Sequence, residues 1–172
     1  MMPALCNSGP LMALGKLKRL DILADLYGEV RIPHAVYEEV VTQGLASGMP
    51  DALTVRLFWQ RRQWPVVSVS ETVLSAYTPP VTLGPGESEV LALAQTLPEA
   101  LVLFDDEVAR AEARRLKLRL RGTLGVLVQA YRQGLLPFDQ AELLIQEIAA
   151  RPDIWIGARL CEQTLASLRK EE

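Results

Sequence analysis

The 172-residue chain contains little cysteine, little histidine and no excess of positive charge, and each scarcity excludes a class of protein. Its two cysteines, Cys6 and Cys161, lie far apart among apolar residues, so we expect reduced, buried thiols rather than a disulfide framework. The one histidine, His34, has no His or Cys partner at metal-ligand spacing, and we expect a surface or capping residue. Because the formal net charge is −3, nucleic-acid binding would require a local basic patch.

Long hydrophobic runs and glycine fingerprints are also missing. No window reaches transmembrane length, and the N-terminus lacks the basic flank and apolar stretch of a signal peptide, so we expect a cytoplasmic protein without membrane contact. Neither the P-loop pattern nor the dinucleotide-binding glycine pattern is present. With 49% hydrophobic residues, the chain is long enough for one core of ordinary size, and we expect a single domain over 1–172.

Apolar runs typical of buried strands alternate with segments of helical periodicity along the chain. The pattern predicts strands at 3–6, 29–32, 65–69, 100–104, 118–120 and 153–156. It predicts helices at 10–16, 19–27, 34–44, 51–62, 87–95, 107–116, 123–134, 138–150 and near the C-terminus. This alternation indicates an α/β fold, a three-layer α/β/α sandwich with a mostly parallel sheet.

One strand ends in a pair of acids. The apolar run 100–104 stops abruptly at Asp105 and Asp106, and open α/β sheets place their ligand crevices at the carboxyl ends of strands. Like charges this close repel unless a cation, a proton or hydrogen bonds intervene. The pair therefore indicates a divalent metal, provided that other acids join it.

Helix geometry narrows the choice of those other acids. Glu87 shares the inward face of the apolar residues at +3, +4 and +7, whereas Glu89 points roughly the opposite way. Glu87 could equally be an acid that stabilises the helix N-terminus. In the earlier helix, Glu39 lies at the border of the apolar stripe and Glu38 lies on the solvated side.

Five segments, taken in order, resemble a known family. They are NSGPLMAL (7–14), IPHAVYEEV (32–40), GPGESEVLALA (84–94), LFDDEVAR (103–110) and GTLGVL (122–127). The chain resembles PIN-domain proteins of the VapC-like branch over about 4–130, with a helical extension over about 135–172 that is similar more loosely. The resemblance implies a metal-dependent ribonuclease, in which acids at the sheet edge hold Mg²⁺ or Mn²⁺ and activate a water for attack on a phosphodiester.

The resemblance also assigns residues to the site. It implies that Glu39, Glu87 and Asp105 are catalytic, with Glu87, Asp105, Asp106 and Asn7 around the metal. Asn7 stands where the family has its first acid, at the end of the first strand. An asparagine offers a carbonyl oxygen but no charge, so we expect weaker Mg²⁺ binding and a higher pKa of the bound water. A metal would polarise the phosphoryl oxygen, and Glu39 could orient or deprotonate the water.

The substrate residues are less sharply defined. Ser8 stands where the family has Ser or Thr, and Arg110 and Arg114 share one helix face inside a basic run over 110–121. Such a patch could bind a phosphate backbone, or it could be a solvated outer face. Thr123 could cap the next helix or lie near the site, and we favour capping.

Aromatic residues are scarce, at 6% of the chain. The three tryptophans, Trp59, Trp64 and Trp155, sit beside apolar runs, and we expect core or subunit-interface positions rather than base-stacking platforms.

Three functions remain open. The first is an endoribonuclease of toxin–antitoxin type that cleaves RNA; the resemblance implies a cognate antitoxin and a homodimer. The second is a catalytically degenerate PIN module that binds RNA or a protein partner without cleavage. The third, a receiver-like phosphoacceptor domain, is disfavoured because the first strand ends in Asn7 rather than in an acidic pair, and because no lysine follows a late strand at the required place.

Overall fold

The computed structural model describes residues 2–172. Five parallel strands form one sheet in the order β3-β2-β1-β4-β5. The strands are β1 Ala4–Cys6, β2 Val30–Pro33, β3 Val66–Val67, β4 Leu101–Leu103 and β5 Arg119–Arg121. Helices flank this sheet, so the predicted α/β sandwich is confirmed.

Eleven α-helices and one π-helical stretch surround the sheet within residues 2–172. They are α1 Ser8–Lys16, α2 Asp21–Tyr27, α3 His34–Tyr37, α4 Gln43–Ala46, α5 Pro50–Arg62, α6 Glu71–Ser75, α7 Pro85–Ala94, α8 Glu107–Arg115, α9 Thr123–Arg132, α10 Phe138–Ala150 and α11 Ala158–Arg169. The π-helical stretch, Glu38–Thr42, joins α3 to α4. None of these helices is both long enough and apolar enough to traverse a bilayer.

Two neighbouring strands, β1 and β4, are buried because they are short and continuously apolar. The residues of β1 and β4 and Phe104 after β4 are almost fully buried, and α7 packs against β1, β2 and β4. Runs of this kind are typical of parallel strands covered on both faces. Both cysteines are free and buried, as expected, and His34 is exposed, as expected for a surface residue.

The strand order places β1 at the centre of the sheet. The chain runs outward from β1 through β2 to β3 on one side, and β4 and β5 continue on the other. Ligands of open α/β sheets bind where the strand order reverses in this way. Asn7 follows β1 and its backbone N–H donates to Leu103 O at 3.0 Å, so Asn7 and the residues after β4 share this edge.

One sequence prediction outside this edge is wrong, and another holds only in part. The segment Asp153–Ile156 is not a strand, although Ile154 is buried. It forms a loop held against α1, because Lys16 Nζ donates to Asp153 O at 2.6 Å. Trp59 and Trp64 lie in the core, but Trp155 in this loop is 94% exposed and belongs to no part of the core.

Candidate active site

Asn7 carries a buried oxygen without a hydrogen-bond donor. It is the residue before α1, a position where an asparagine side chain ordinarily caps the helix, yet it makes no capping bond. The residue is 5% exposed, and Oδ1 has no partner among residues 2–172. An unsatisfied buried carbonyl costs about 1–3 kcal/mol. This oxygen is therefore available to a group that the chain itself does not supply.

Glu39 and Ser8 lie beside Asn7 around Gly86. Ser8 Oγ donates to Glu39 Oε2 at 2.9 Å. A Cβ built on Gly86 would lie 3.3 Å from Asn7 Oδ1 and 3.4 Å from Glu39 Oε2. Both oxygens thus border the same small space at the start of α7, and the absence of a side chain at Gly86 keeps that space open. Glu39 reaches it from the π-helical stretch, a geometry that is frequent at functional sites.

Asp105 is held from the opposite side by the start of α9. Thr123 N donates to Asp105 Oδ1 at 2.7 Å, and Thr123 Oγ1 donates to Oδ2 at 2.6 Å. Our prediction that Thr123 caps its own helix is wrong, since its hydroxyl contacts Asp105 instead. Burial raises the pKa of Asp105, while the two bonds from Thr123 and the charge of Arg110 oppose that rise.

Gly122 lies close to both of these side chains. A Cβ there would lie 2.8 Å from Arg110 Nη1 and 2.9 Å from Asp105 Oδ1, which is closer than real Cβ contacts allow. A side chain at residue 122 would therefore displace Arg110 and Asp105 from these positions. Gly9 in α1 also lies against Asp105, since a Cβ there would lie 3.6 Å from Asp105 Oδ2.

The other acids bind helix starts. Glu87 Oε2 accepts from Gly84 N at 2.6 Å, and Asp106 Oδ2 accepts from Ala109 N at 3.0 Å. Asp106 is therefore the N-cap of α8. Glu89 Oε2 accepts from the N–H of Ala35 at 2.8 Å, a contact between α7 and α3 that helix geometry alone did not indicate. One oxygen of each acid satisfies a backbone donor that the helix leaves unpaired.

These acids do not form a closed metal cage. Among residues 2–172, no three His, Cys, Asp or Glu side chains form a group that could hold a metal ion. Glu39, Glu87 and Glu89 line one cavity of about 540 Å³, while Asp105 lines two others. The buried Asn7 Oδ1 and Glu39 Oε2, which border one space beside Gly86, fit a cation that keeps most of its waters, as Mg²⁺ does when one or two carboxylates and substrate phosphates hold it.

Comparison with known proteins gives the same fold an evolutionary context. A family model described as a PIN domain matches residues 3–170, nearly the whole chain. The chain belongs to the PIN-domain family. No curated protein matches the sequence significantly. PIN domains have a nuclease-type fold, generally use divalent metal ions and generally bind RNA.

The PIN domain places the two candidate substrate arginines differently. Arg110 Nη1 donates to Phe104 O at 2.9 Å, and Arg110 lines a cavity together with Asp105. Arg114 is exposed and pairs with Glu107 at 3.1 Å. It does not line either of the cavities that contain Asp105. Of the two, only Arg110 lies beside the acidic site.

Two further arginines of the PIN domain, Arg121 and Arg132, line the same cavity as Arg110 and Asp105, as does the exposed Trp155. Arg121 belongs to the basic run over 110–121 that the sequence indicated. Arg132 lies outside that run, near the end of α9, and pairs with Glu171 at 2.9 Å. The basic run alone gave no signal for Arg132.

Proposed function

We propose that the protein is a divalent-metal-dependent endoribonuclease of toxin–antitoxin type, in the VapC-like branch, whose metal affinity is weakened by Asn7. The observation that carries the proposal is the buried, unpartnered Asn7 Oδ1, which borders the same space as Glu39 at the sheet edge. Leaving a polar oxygen unpaired in the interior is costly. A bound cation would satisfy it.

Each side chain has a role in this proposal. Asn7 and Asp105 hold the metal, which when bound supplies a polarised phosphoryl oxygen and a water of lowered pKa. Glu39 accepts the proton of the attacking water. The Ser8 hydroxyl, which donates to Glu39 Oε2 at 2.9 Å, fixes the orientation of the Glu39 carboxylate. Arg110 offers positive charge to the phosphate next to Asp105.

The remaining acids have structural roles in this proposal. Glu87 and Glu89 fix the start of α7 and its contact with α3, and thereby hold Gly86 beside Asn7. In this cavity they also add negative charge that favours a cation. Asp106 is assigned to α8 rather than to the metal, because its carboxylate caps that helix. A cognate antitoxin and a homodimer belong to the proposal on the resemblance to the VapC-like branch alone.

A second candidate function is a PIN module that binds RNA or a protein partner without cleavage. Three observations favour it. The first position of the acidic pattern is an amide, and no three acidic, His or Cys side chains in residues 2–172 form a metal-holding group. Both oxygens of Asp105 are also engaged by Thr123. Fewer charged ligands weaken the affinity of an oxygen site.

Cleavage of RNA in Mn²⁺ by three proteins separates the candidates. We expect wild type to cleave slowly, Asn7→Asp to cleave faster, and Asp105→Ala to lose cleavage. Asp139→Ala, which changes an exposed aspartate at the start of α10, is the matched control and should behave as wild type. If Asn7→Asp cleaved RNA and wild type did not, the wild-type protein would be the non-cleaving module. Cleavage that survives Asp105→Ala would contradict the metal site.

A further inference from the structure

Trp155 is held on the surface by a rigid loop. It is 94% exposed, compared with 2% for Trp59 and 8% for Trp64. Its neighbour Ile154 is buried and Ile156 is half-buried, so the loop is anchored on both sides of the indole. Aromatic side chains contribute most when they are buried. A tryptophan that the fold presents to solvent in this way needs an explanation outside the core.

Ion pairs and backbone contacts fix the loop before any ligand arrives. Arg151 donates to both carboxylate oxygens of Asp153, at 2.8 and 2.7 Å, and its Nη1 donates to Lys16 O at 3.2 Å. Lys16 Nζ in turn donates to Asp153 O at 2.6 Å. A preformed aromatic surface loses little conformational entropy on binding. The backbone that carries the indole is therefore preorganised.

The surroundings of Trp155 differ on its two sides. One cavity, of about 270 Å³, is largely apolar and is lined by Met12, Met49 and Ile154. The other, of about 470 Å³, contains Arg110, Arg121 and Arg132. Arg132 pairs with Glu171 at 2.9 Å and Arg110 lies 4.0 Å from Glu107, whereas the buried Nε of Arg121 has no acceptor among residues 2–172. Asp105 and Trp155 line both cavities. An apolar surface for a base and an arginine-lined cavity for phosphates thus meet at the carboxylate of the candidate active site.

We propose that Trp155 stacks on an unpaired base of a single-stranded RNA whose phosphate backbone follows the arginine-lined cavity past Asp105. The inference rests on the proposed function, because it names a substrate-binding residue of that same site. Aromatic stacking platforms beside a positively charged groove are how proteins bind single strands without sequence readout. A base inside a duplex cannot offer its face to the indole. The unpartnered Arg121 Nε in this cavity favours the phosphates of an RNA over an apolar protein segment.

Binding of single-stranded RNA in EDTA tests this without requiring catalysis. The probe is a fluorescein-labelled 12-nucleotide oligouridylate, compared with a blunt RNA duplex of the same length. We expect Trp155→Ala to bind the single strand on the order of tenfold more weakly and Trp155→Phe to bind close to wild type. Leu143→Ala, which truncates a side chain that is 65% exposed on α10, is the control and should match wild type. Wild type should bind the duplex more weakly than the single strand.

Intrinsic fluorescence gives a second readout of stacking. Because Trp59 and Trp64 are buried, iodide should quench mainly the Trp155 emission, and bound oligouridylate should reduce that quenching. Equal affinity of wild type and Trp155→Ala for the single strand, with iodide quenching unchanged by RNA, would overturn the inference. So would a loss of self-association in Trp155→Ala, measured by sedimentation, with RNA affinity intact, since Trp155 would then belong to an interface between copies.

The inference and the proposed function fail separately. Weaker single-strand binding by Trp155→Ala in a protein that cleaves no RNA supports the stacking role and removes the nuclease. Cleavage with wild-type KM in Trp155→Ala supports the nuclease and removes the stacking role.

Discussion

Thr123 binds both carboxylate oxygens of Asp105, one through its backbone N–H at 2.7 Å and the other through its hydroxyl at 2.6 Å. The two residues are 18 positions apart and meet because β4 and β5 are adjacent parallel strands. The pair fixes the orientation of the carboxylate that the sheet edge presents to the cavities around it. It also places Asp105 at the N-terminus of α9, where negative charge is stabilised.

Removing the Thr123 hydroxyl should weaken the hold on Asp105. We expect Thr123→Val to lower the free energy of unfolding by about 1.5–3 kcal/mol, because it removes a hydrogen bond to a charged group, and to reduce RNA cleavage. Thr123→Ser keeps the hydroxyl and should retain most of the stability and most of the RNA cleavage. Urea unfolding of Thr123→Val, Asp105→Ala and the double variant measures the coupling. Strictly additive effects would contradict a direct interaction.

A methyl group at Gly86 should obstruct the candidate metal position. A Cβ there would lie 3.2 Å from Val36 Cγ2 and would cover Asn7 Oδ1 and Glu39 Oε2. Gly15 offers a matched control, because a Cβ there would lie at the same 3.2 Å from Val55 Cγ2. Beyond α1 itself, the nearest oxygen to that Cβ is Asp51 O at 3.8 Å, a backbone atom outside the candidate site. We expect Gly86→Ala and Gly15→Ala to have similar stability in urea, with Mn²⁺ binding lost only in Gly86→Ala. Equal Mn²⁺ affinity in both would place the cation elsewhere.

Asp106 should act on stability and not on metal binding. Its carboxylate accepts from Ala109 N, so Asp106→Ala removes the N-cap of α8 and should lower the free energy of unfolding by about 0.5–2 kcal/mol. Asp106→Asn keeps a capping oxygen, so its free energy of unfolding should fall much less. Mn²⁺ affinity should be the same in wild type and in both variants. A tenfold loss of affinity in Asp106→Asn would return this residue to the metal site.

The buried Glu112 should make stability depend on pH. Glu112 accepts two bonds from Arg115, at 2.8 and 2.6 Å, and one from Tyr77 at 2.8 Å. The Arg115 guanidinium is the main cause that lowers the pKa of Glu112 below its ordinary value of 4.5. A carboxyl group with a lowered pKa stabilises the fold above 4.5 and loses that contribution as the pH falls through the lowered pKa.

Comparing Glu112→Gln with wild type tests that sign. We expect the variant to be less stable at neutral pH by about 1–3 kcal/mol, reduced by solvent screening because Arg115 is half-exposed. The difference in the free energy of unfolding between Glu112→Gln and wild type should shrink below pH 4.5. Glu162→Gln, at an exposed position of α11, should show neither effect. A difference that is independent of pH in urea unfolding would rule out the ionised carboxylate as its source.

The sheet edge was predictable because its signals are local. The apolar run before Asp105 predicted a buried strand, and β4 occupies Leu101–Leu103. Helix periodicity indicated the inward face of Glu87. It could not indicate that the Glu87 carboxylate turns back to Gly84 N, since that depends on side-chain torsions rather than on the helix face.

Contacts between distant elements were not predictable from periodicity. Thr123 looked like a helix cap because any threonine at a helix start does, and only the pairing of β4 with β5 brings its hydroxyl to Asp105. The consecutive apolar residues Ile154, Trp155 and Ile156 suggested a strand at 153–156. Such a run also occurs in a loop that buries Ile154 against the core and leaves Trp155 outside.

Calorimetric titration of Mn²⁺ into wild type and Asn7→Asp tests the central claim, that position 7 is the central oxygen ligand of a weakened metal site. A carboxylate there adds a full negative charge to a hard-cation site, and we expect Mn²⁺ to bind on the order of tenfold more tightly or better. The gain should vanish in the double variant Asn7→Asp, Asp105→Ala. Equal Mn²⁺ affinity in wild type and Asn7→Asp would contradict the account.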